Sequence, residues 1–319
     1  MKKKMCLTRK QTWIGITMIA VILAGSVLFI NARSDSVEQD EDLAGPEDKY
    51  SVYPVDIPAE LEFAGEQVPI NYFDVREALD RELLVNTYWQ SHTMLLIKRA
   101  NRFFPVIEPI LLEKGLPEDL KYIAVAESDL TNAVSPARAV GFWQFVKPTA
   151  VEYGLEVNDE IDERYHLERS TAAACDFLKK SYEVYGNWTM AAASYNMGRR
   201  GLNSQVERQK QDNYYDILLN EETGRYIYRL LALKLILNDP AKYGFHVEQE
   251  DLFHLIPCHQ VTVEGPVEDF ADFAEEHGIN YKMLKIFNPW LRDNKLTNQK
   301  GKAYQINIPH KGFREINNH

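Results

Sequence analysis

The stretch that decides the fold is Leu120-Lys121-Tyr122-Ile123-Ala124-Val125-Ala126-Glu127-Ser128. It follows Leu116-Pro117-Glu118-Asp119, where an early proline and two acids predict the start of a helix. The helix is almost wholly apolar and carries Glu127 near its C-terminal end. A carboxyl group among apolar neighbours has its charged form penalised, so its pKa should rise. A raised pKa suits a general acid that works near neutral pH.

Helical periodicity continues on both sides of this stretch, from about residue 75 to residue 245. Further helices are predicted near residues 148–153, 170–185, 189–195 and 224–237. Ser170 or Thr171 should cap the second of these helices. Pro105 and Pro109 are expected to separate the helices that precede residue 116. No segment of this region has a credible strand pattern, so we predict a mainly α fold with an all-helical core.

A second, small domain is predicted after the break at Asn238-Asp239-Pro240. Its first element is the β-type run Gln260-Val261-Thr262-Val263, and two helices follow near residues 268–276 and 281–287. The tail Ala303-Tyr304-Gln305-Ile306-Asn307-Ile308-Pro309 alternates as a strand does. This β-α-α-β order predicts a small α+β domain.

The N-terminal segment has the pattern of an export signal. Residues 13–30 are uncharged and mostly apolar, and they follow a basic start. They predict either a signal peptide or a single membrane anchor, of which we favour the uncleaved anchor. Residues 33–60 are rich in Asp, Glu, Ser and Pro and predict a flexible tether. The predicted divisions are therefore a signal or anchor at 1–32, an acidic tether and lead-in at 33–74, a helical domain at 75–250 and the small domain at 258–312.

The net charge and the cysteine content limit which binding partners and cofactors the chain is expected to have. The net charge is −11, and residues 1–32 hold five basic residues and no acid, which leaves −16 for the remainder. Such an acidic body argues against nucleic-acid binding and against general capture of an anionic polymer. Cys175 and Cys258 are expected to be buried thiols, although a disulfide between them is conceivable. Their spacing gives no metal signature, and nothing in the sequence calls for a cofactor.

Several polar and aromatic residues follow Glu127 and could line a cleft with it. Ser128 and Ser135 offer hydroxyls, Gln144 and Asn196 offer amides, and Trp143 and Tyr195 offer flat rings. Sugar sites are built from such groups, because rings stack on sugar faces and amides bind sugar substituents. Trp143 and Tyr195 could equally be aromatic residues of the core.

Three segments together carry a family resemblance: Glu127-Ser128, Gly141-Phe142-Trp143-Gln144 and Ser194-Tyr195-Asn196. In this order and spacing they resemble the lytic transglycosylases of the lysozyme-like superfamily, in particular the membrane-bound murein transglycosylase D type. Supporting matches are Gly115-Leu116-Pro117, Tyr153-Gly154-Leu155, Asp162-Glu163-Arg164, Ser170-Thr171-Ala172-Ala173 and Glu222-Thr223 with Tyr226. The resemblance spans about residues 75–245 and implies a lysozyme-like (SLT) domain that acts on peptidoglycan glycan strands.

The resemblance also implies roles for individual residues. Glu127 would be the sole catalytic acid and base. The substrate-binding residues would be Ser128, Ser135, Trp143, Gln144, Tyr195 and Asn196, and Tyr226 would orient Glu127. For Ser128, a hydroxyl that bonds its own helix backbone is the alternative. Asp162-Glu163-Arg164 is expected to be a structural ion-pair cluster. The loop after Ser135 reads Ala137-Arg138-Ala139, whereas this family often has a second glycine there, so Arg138 could reshape the rim of the cleft or meet an anionic peptide stem.

The implied reaction cleaves the bond between N-acetylmuramic acid and N-acetylglucosamine and closes a 1,6-anhydro ring without water. Ordinary glycosidases need a second carboxylate. Asp129 is the nearest candidate, but residues two apart in a helix do not face one another. Two other functions stay open: a hydrolytic muramidase of the goose-lysozyme type, and a non-catalytic scaffold that binds peptidoglycan. Partners besides the glycan and the membrane are not indicated.

The C-terminal unit resembles a LysM peptidoglycan-binding module. The matching segments are Val263-Glu264-Gly265, Phe270-Ala271-Asp272-Phe273-Ala274, His277-Gly278-Ile279, Leu284-Lys285-Ile286-Phe287-Asn288-Pro289 and Ile306-Asn307-Ile308-Pro309. The usual Gly-Asp-Thr-Leu is replaced by Gly265-Pro266-Val267-Glu268. We therefore leave open whether this copy binds glycan or only packs on the helical domain.

Overall fold

The computed structural model describes residues 52–315. A short antiparallel hairpin opens this part, with β1 at Glu62–Phe63 and β2 at Glu66–Gln67. Eight helices follow: α1 Phe73–Tyr88, α2 Gln90–Glu113, α3 Lys121–Ser128, α4 Lys147–Glu152, α5 Leu167–Tyr185, α6 Trp188–Met197, α7 Arg199–Gln209 and α8 Glu221–Asn238. The small C-terminal unit contains β3 Cys258–Val263, α9 Phe270–Glu276, α10 Tyr281–Phe287 and β4 Tyr304–Pro309. The molecule is mainly helical, and the predicted fold class is confirmed.

Helix α3, predicted from the opening stretch, lies at the centre of the helical part. A 3-10 turn at Glu118–Leu120 precedes it, and Tyr122, Ile123, Ala124 and Val125 are all buried. The helix packs between α2 and α8. It ends because Asp129 adopts a left-handed conformation and donates its backbone N–H to the carbonyl of Val125. This end brings Glu127 to the edge of the core.

Three details differ from the sequence-based prediction. Pro105 and Pro109 lie inside α2 and do not interrupt it. Both face solvent, four residues apart, so water can satisfy the carbonyl groups that lose their helical partner. Ser170 and Thr171 are not caps, because α5 begins earlier and both hydroxyls bond back to the carbonyl of Leu167.

Helix α7 was not predicted at all. Its sequence is highly polar, and Leu202 is its single fully buried residue, so it gives almost no apolar periodicity. Its N-terminal end is set by Gly198, which takes a positive φ between α6 and α7. A polar helix of this kind is stabilised by its attachment to the core more than by its own pattern.

The segment before α1 packs on the helical core over part of its length. Leu61, Phe63, Val68 and Ile70 are buried, so this part of the predicted tether and lead-in is not a free linker. The carboxylate of Glu66 in the hairpin accepts hydrogen bonds at the start of α6, from the backbone of Trp188 and Thr189.

The predicted membrane anchor at residues 13–30 lies outside the described residues. Within residues 52–315, no helix is both long and apolar enough to cross a membrane. The predicted domain limits at 75–250 and 258–312 stay predictions.

The C-terminal unit has the predicted β-α-α-β order. Strands β3 and β4 pair antiparallel, with Cys258 opposite Pro309 and Val263 opposite Tyr304. Its core is formed by Phe270, Leu284, Trp290, Leu291, Leu296, Ile306 and Ile308. Cys258 and Cys175 are both free thiols.

The C-terminal unit is docked on the loop of residues 156–166 from the helical part. Ile161 of this loop belongs to the small unit's own core, and its backbone forms a β-bridge with Leu291. The N–H of Asp162 donates to the carbonyl of Trp290 at 2.9 Å. Lys302 pairs with Glu156 at 2.7 Å. Apolar, backbone and ionic contacts together hold the small unit against the helical part.

Candidate active site

Glu127 lines a cleft with a volume of about 640 Å³. Helix α3 presents the carboxyl at its C-terminal end, and α6, α8 and the loop of residues 135–146 surround it. Predicted site residues that line the cleft are Glu127, Ser135, Gln144, Tyr195, Asn196 and Tyr226. The structure therefore brings together six of the eight residues that the sequence pointed to.

The surroundings of Glu127 favour its neutral form. Burial raises the pKa of this carboxyl to about 7, a hydrogen bond from Tyr226 opposes the rise, and nearby Glu222 adds to it. The Tyr226 hydroxyl donates to Glu127 Oε1 at 2.7 Å. Burial also raises the pKa of Tyr226 well above its ordinary value, so the phenol keeps its proton and remains a donor. Glu127 can thus hold or release a proton near neutral pH.

The loop of residues 135–146 forms another part of the cleft lining. Ser135 accepts a hydrogen bond from the backbone N–H of Ala139, which closes a tight turn. Gly141 has a φ of +82°, and a Cβ atom there would lie 2.0 Å from the carbonyl oxygen of Arg164. Gln144 donates its side-chain amide to the carbonyls of Ala133 and Gly141. Its amide oxygen has no hydrogen-bond partner within the described part of the chain and can accept one from a ligand.

Arg164 ties this loop to the rest of the helical part. Its guanidinium pairs with Asp162 at 2.7 Å and donates to the carbonyls of Arg138 and Phe145, each at 3.2 Å. Arg138 has a φ of +61°, a conformation that favours glycine. The Arg138 side chain is exposed and does not line the cleft.

Two predicted substrate-binding residues do not reach the cleft. Trp143 is fully buried, and its Nε1 donates to the Thr171 hydroxyl at 2.8 Å, so it is a core aromatic residue. Ser128 is 6% exposed, and its hydroxyl faces the carbonyls of Ala124 and Phe142. Its role is to hold the end of α3 against the following loop, which is the alternative that its sequence position left open.

Tyr195 and Asn196 stand at the end of α6 and do line the cleft. The Tyr195 hydroxyl donates to the carbonyl of Trp143 at 2.7 Å, which positions the ring. Asn196 accepts from Thr223 at 2.8 Å and donates to Glu222 at 3.3 Å. Both side chains are thereby held in place, with one surface open to the cleft.

Asp129, the alternative carboxylate, does not line the cleft. Its carboxylate lies 3.0 Å from His92 Nε2. Across residues 52–315, no three His, Cys, Asp or Glu side chains come close enough to hold a metal ion.

Two comparisons with known families match this architecture. Residues 107–218 match the family described as Transglycosylase SLT domain. Residues 259–312 match the Soluble lytic transglycosylase C-terminal LysM-like domain. The chain carries an SLT domain and a LysM-like domain.

Two of the known relatives have names that agree with this assignment. The chain is similar to Membrane-bound lytic murein transglycosylase D of Escherichia coli strain K12 and of strain O6:H1. Each is 27% identical over 228 residues, which cover 70% of this chain and 49% of the relative. The chain thus spans about half the length of these curated relatives. It is also similar to a Putative tributyltin chloride resistance protein of Alteromonas sp. (strain M-1), 27% identical over 113 residues, or 35% of this chain and 55% of that protein.

The cleft extends beyond the matched span of the SLT domain, which ends before α8. That helix contributes Glu222, Tyr226 and Arg229 to the lining. Sequence reasoning singled out Tyr226 but treated Glu222 only as part of a motif and missed Arg229. The spacing of four and then three residues places all three on one face of a helix, and this signal could have identified them.

Proposed function

We propose that this chain is a lytic transglycosylase that cleaves peptidoglycan strands. The bond cut is the one between N-acetylmuramic acid and N-acetylglucosamine, and the product carries a 1,6-anhydro ring. The observation that carries the proposal is Glu127, a carboxyl with a pKa of about 7 that lines the cleft of an SLT domain. Near neutral pH such a group can serve first as acid and then as base.

The reaction needs one proton carrier. Protonated Glu127 donates its proton to the glycosidic oxygen as the bond from that oxygen to the muramic C1 breaks. The resulting carboxylate then takes the proton of the muramic C6 hydroxyl. The oxygen of that hydroxyl forms a bond to C1 and closes the 1,6-anhydro ring. The proton lost by the C6 hydroxyl balances the proton gained by the leaving sugar, so no water enters. Tyr226 stays protonated and orients the carboxyl throughout.

Hydrolysis by the same cleft is a second candidate, and Glu222 is the observation that favours it. This carboxylate also lines the cleft and is exposed to solvent, as a residue that activates water would be. An inverting glycosidase separates its two carboxyl groups to leave room for that water. Glu222 would then be the base, whereas in the transglycosylase reaction its charge only raises the pKa of Glu127.

Substitutions of the two carboxyl residues separate these functions. Purified sacculi are digested with the wild-type protein, Glu127→Gln and Glu222→Gln, and the released muropeptides are weighed. We expect anhydro products from the wild type, none from Glu127→Gln, and anhydro products at a reduced rate from Glu222→Gln. Reducing ends from the wild type, lost in Glu222→Gln, would establish the hydrolase instead. Binding to sacculi without release of muropeptides would indicate a non-catalytic scaffold that binds peptidoglycan.

We also propose that the protein is exported to the cell envelope and held there by residues 13–30. The apolar run behind a basic start supports this, as does the word membrane-bound in the names of the Escherichia coli relatives. Cell fractionation tests it: the protein should sediment with membranes and be released by detergent. Recovery in a soluble fraction without detergent would contradict anchoring.

A further inference from the structure

Arg229 is a cationic side chain beside the proposed acid. Of the described residues that line the cleft, it is the one that carries a positive charge. It follows Tyr226 by three residues on α8, and its side chain is 32% exposed.

The hydrogen-bond donors of Arg229 are unused. Within residues 52–315, its guanidinium donates no hydrogen bond to any other residue, and its charged neighbour is Glu82, with Nε 3.8 Å from Oε2. That distance is too long for a hydrogen bond. A guanidinium carries five N–H donors in a fixed fork, and a partly buried polar group without partners is unfavourable. An anionic ligand in the cleft would accept hydrogen bonds from these donors.

The neighbouring Arg225 does donate hydrogen bonds to the protein, so the unused donors are specific to Arg229. It lies one turn earlier on the same helix and approaches the same Glu82. Its Nε donates to Glu82 Oε1 at 2.7 Å, and its Nη1 pairs with Glu221 at 3.5 Å. Arg225 does not line the cleft. Arg225 thus uses its donors within the protein, whereas the donors of Arg229 remain available to a ligand.

Glu82 holds the Arg229 side chain in position without accepting a hydrogen bond from it. This carboxylate on α1 is 1% exposed, and both arginines converge on it. Its charge attracts the Arg229 guanidinium, but its hydrogen bond is made with Arg225, through Oε1, and Oε2 stays 3.8 Å from Arg229 Nε. The fork of Arg229 therefore keeps its donors for a ligand that enters the cleft.

We propose that Arg229 binds a carboxylate of the glycan substrate next to the bond that Glu127 cleaves. This inference rests on the proposed function and adds a charged substituent to its substrate. A carboxylate matches the guanidinium fork and can bind it through two parallel hydrogen bonds. Two sources exist in peptidoglycan: the lactyl carboxylate of muramic residues that lack a peptide, and the carboxylates of the stem peptide.

Binding of such a carboxylate would also act on the acid. Burial raises the pKa of Glu127, and the positive charge of Arg229 is one of the influences that lower it. A bound carboxylate would neutralise that charge, so Glu127 would hold its proton more firmly with substrate in place. The alkaline limb of kcat should then lie at higher pH than the limb of kcat/KM, and Arg229→Gln should reduce this separation.

The test compares three substrates of equal chain length. One set of strands keeps its stem peptides, a second lacks them and exposes the lactyl carboxylate, and a third carries that carboxyl as a neutral methylamide. Wild type, Arg229→Gln and the control Arg208→Gln, which removes an exposed arginine of α7 that does not line the cleft, are assayed for kcat/KM at several pH values. Circular dichroism checks that each variant is folded.

We expect Arg229→Gln to lower the preference for a carboxylate substrate over the methylamide by about tenfold to a hundredfold, the range of a charged hydrogen-bonded pair. Arg208→Gln should keep the wild-type preference, because in the described part of the chain Arg208 bonds only within α7. A loss confined to strands without peptides identifies the lactyl carboxylate, and a loss confined to strands with peptides identifies the stem. Equal effects of Arg229→Gln on all three substrates, or no effect, would overturn the proposal. Anhydro products from the wild type in that case would leave the proposed function intact.

Discussion

At the scale of single residues, the environment of Glu127 links activity to stability. The pKa of this carboxyl rises from its ordinary value of 4.5 to about 7 through burial, so the folded protein binds a proton more tightly than the unfolded chain does. Between these two values, folding stability must fall as pH rises, because the folded state then has to bury a charge. Below pH 4.5 this penalty is absent, and above pH 7 it is complete.

Glu127→Gln should therefore stabilise the protein in a pH-dependent way. We expect its gain in unfolding free energy to grow between pH 4.5 and 7, up to about 3 kcal/mol. Urea denaturation at a series of pH values measures the difference from wild type. Glu183→Gln on the exposed face of α5 is the control and should give a flat difference. A flat difference for Glu127→Gln as well would show that this carboxyl is not perturbed.

At the residue level, the sequence indicated six residues that line the cleft, but it could not separate cleft residues from core residues in every case. A glutamate at a helix end is usually solvated or salt-bridged, and Glu127 stood out only because aromatic and amide-bearing segments follow it in the sequence. A tryptophan fits a core as well as a sugar site, and the pattern around Trp143 does not distinguish the two. Arg229 was missed because the partner that marks it, Glu82, is 147 residues away in sequence and meets it only in the folded chain.

At the scale of elements, the loop of residues 135–146 depends on one close approach. Gly141 lies so near the Arg164 carbonyl that a Cβ atom could fit only if the backbone shifted. Arg164 in turn donates to the carbonyls of Arg138 and Phe145, so a shift at Gly141 would spread through this part of the cleft lining. Gly154 also has a positive φ, of +84°, but nothing lies within 4 Å of its Cβ position.

Alanine substitutions at these two glycines distinguish the free-energy cost of a steric clash from that of backbone strain. Gly154→Ala should cost about 1–2 kcal/mol of unfolding free energy, the penalty of a left-handed conformation. Gly141→Ala should cost more, because the clash adds to that penalty, and it should also lower kcat/KM. Urea denaturation and the sacculus assay measure the two effects. Equal costs at both positions would mean that the contact with Arg164 is not a constraint.

Element boundaries were predictable where apolar periodicity was strong, as in α5, α6, α8 and the β-α-α-β unit. They were not predictable for α7, whose polar surface leaves no periodic signal. Pro105 and Pro109 misled the prediction, since the sequence does not reveal that both fall on a solvent-facing side of α2. Local pattern identifies elements, but exposure is decided by tertiary packing.

At the scale of the whole molecule, the LysM-like domain is joined to the SLT domain through Ile161. This side chain lies in the SLT domain yet is 1% exposed within the core of the C-terminal unit. Sequence pattern predicted both domains, but it did not predict this shared residue, because long-range docking leaves no local periodicity. The LysM-like domain should therefore depend on the SLT domain for part of its stability.

Ile161→Ala tests this dependence. The lost packing should cost about 2–4 kcal/mol and loosen the C-terminal unit, although the substitution lies outside it. Hydrogen exchange of β3, β4 and α10 should accelerate. Ile286→Ala, which removes a 55% exposed side chain of α10, is the control and should change exchange little. Unchanged exchange in both variants would mean that the unit is held by its own core alone.

The central claim is that Glu127 transfers a proton between two sugar oxygens without admitting water. Digestion of peptidoglycan in water enriched in oxygen-18, followed by mass spectrometry of the products, tests it most directly. The account predicts new chain ends that are lighter by one water than hydrolysed ends and that contain no oxygen-18. Products that carry one oxygen-18 at the new reducing end would contradict it and assign the cleft to hydrolysis.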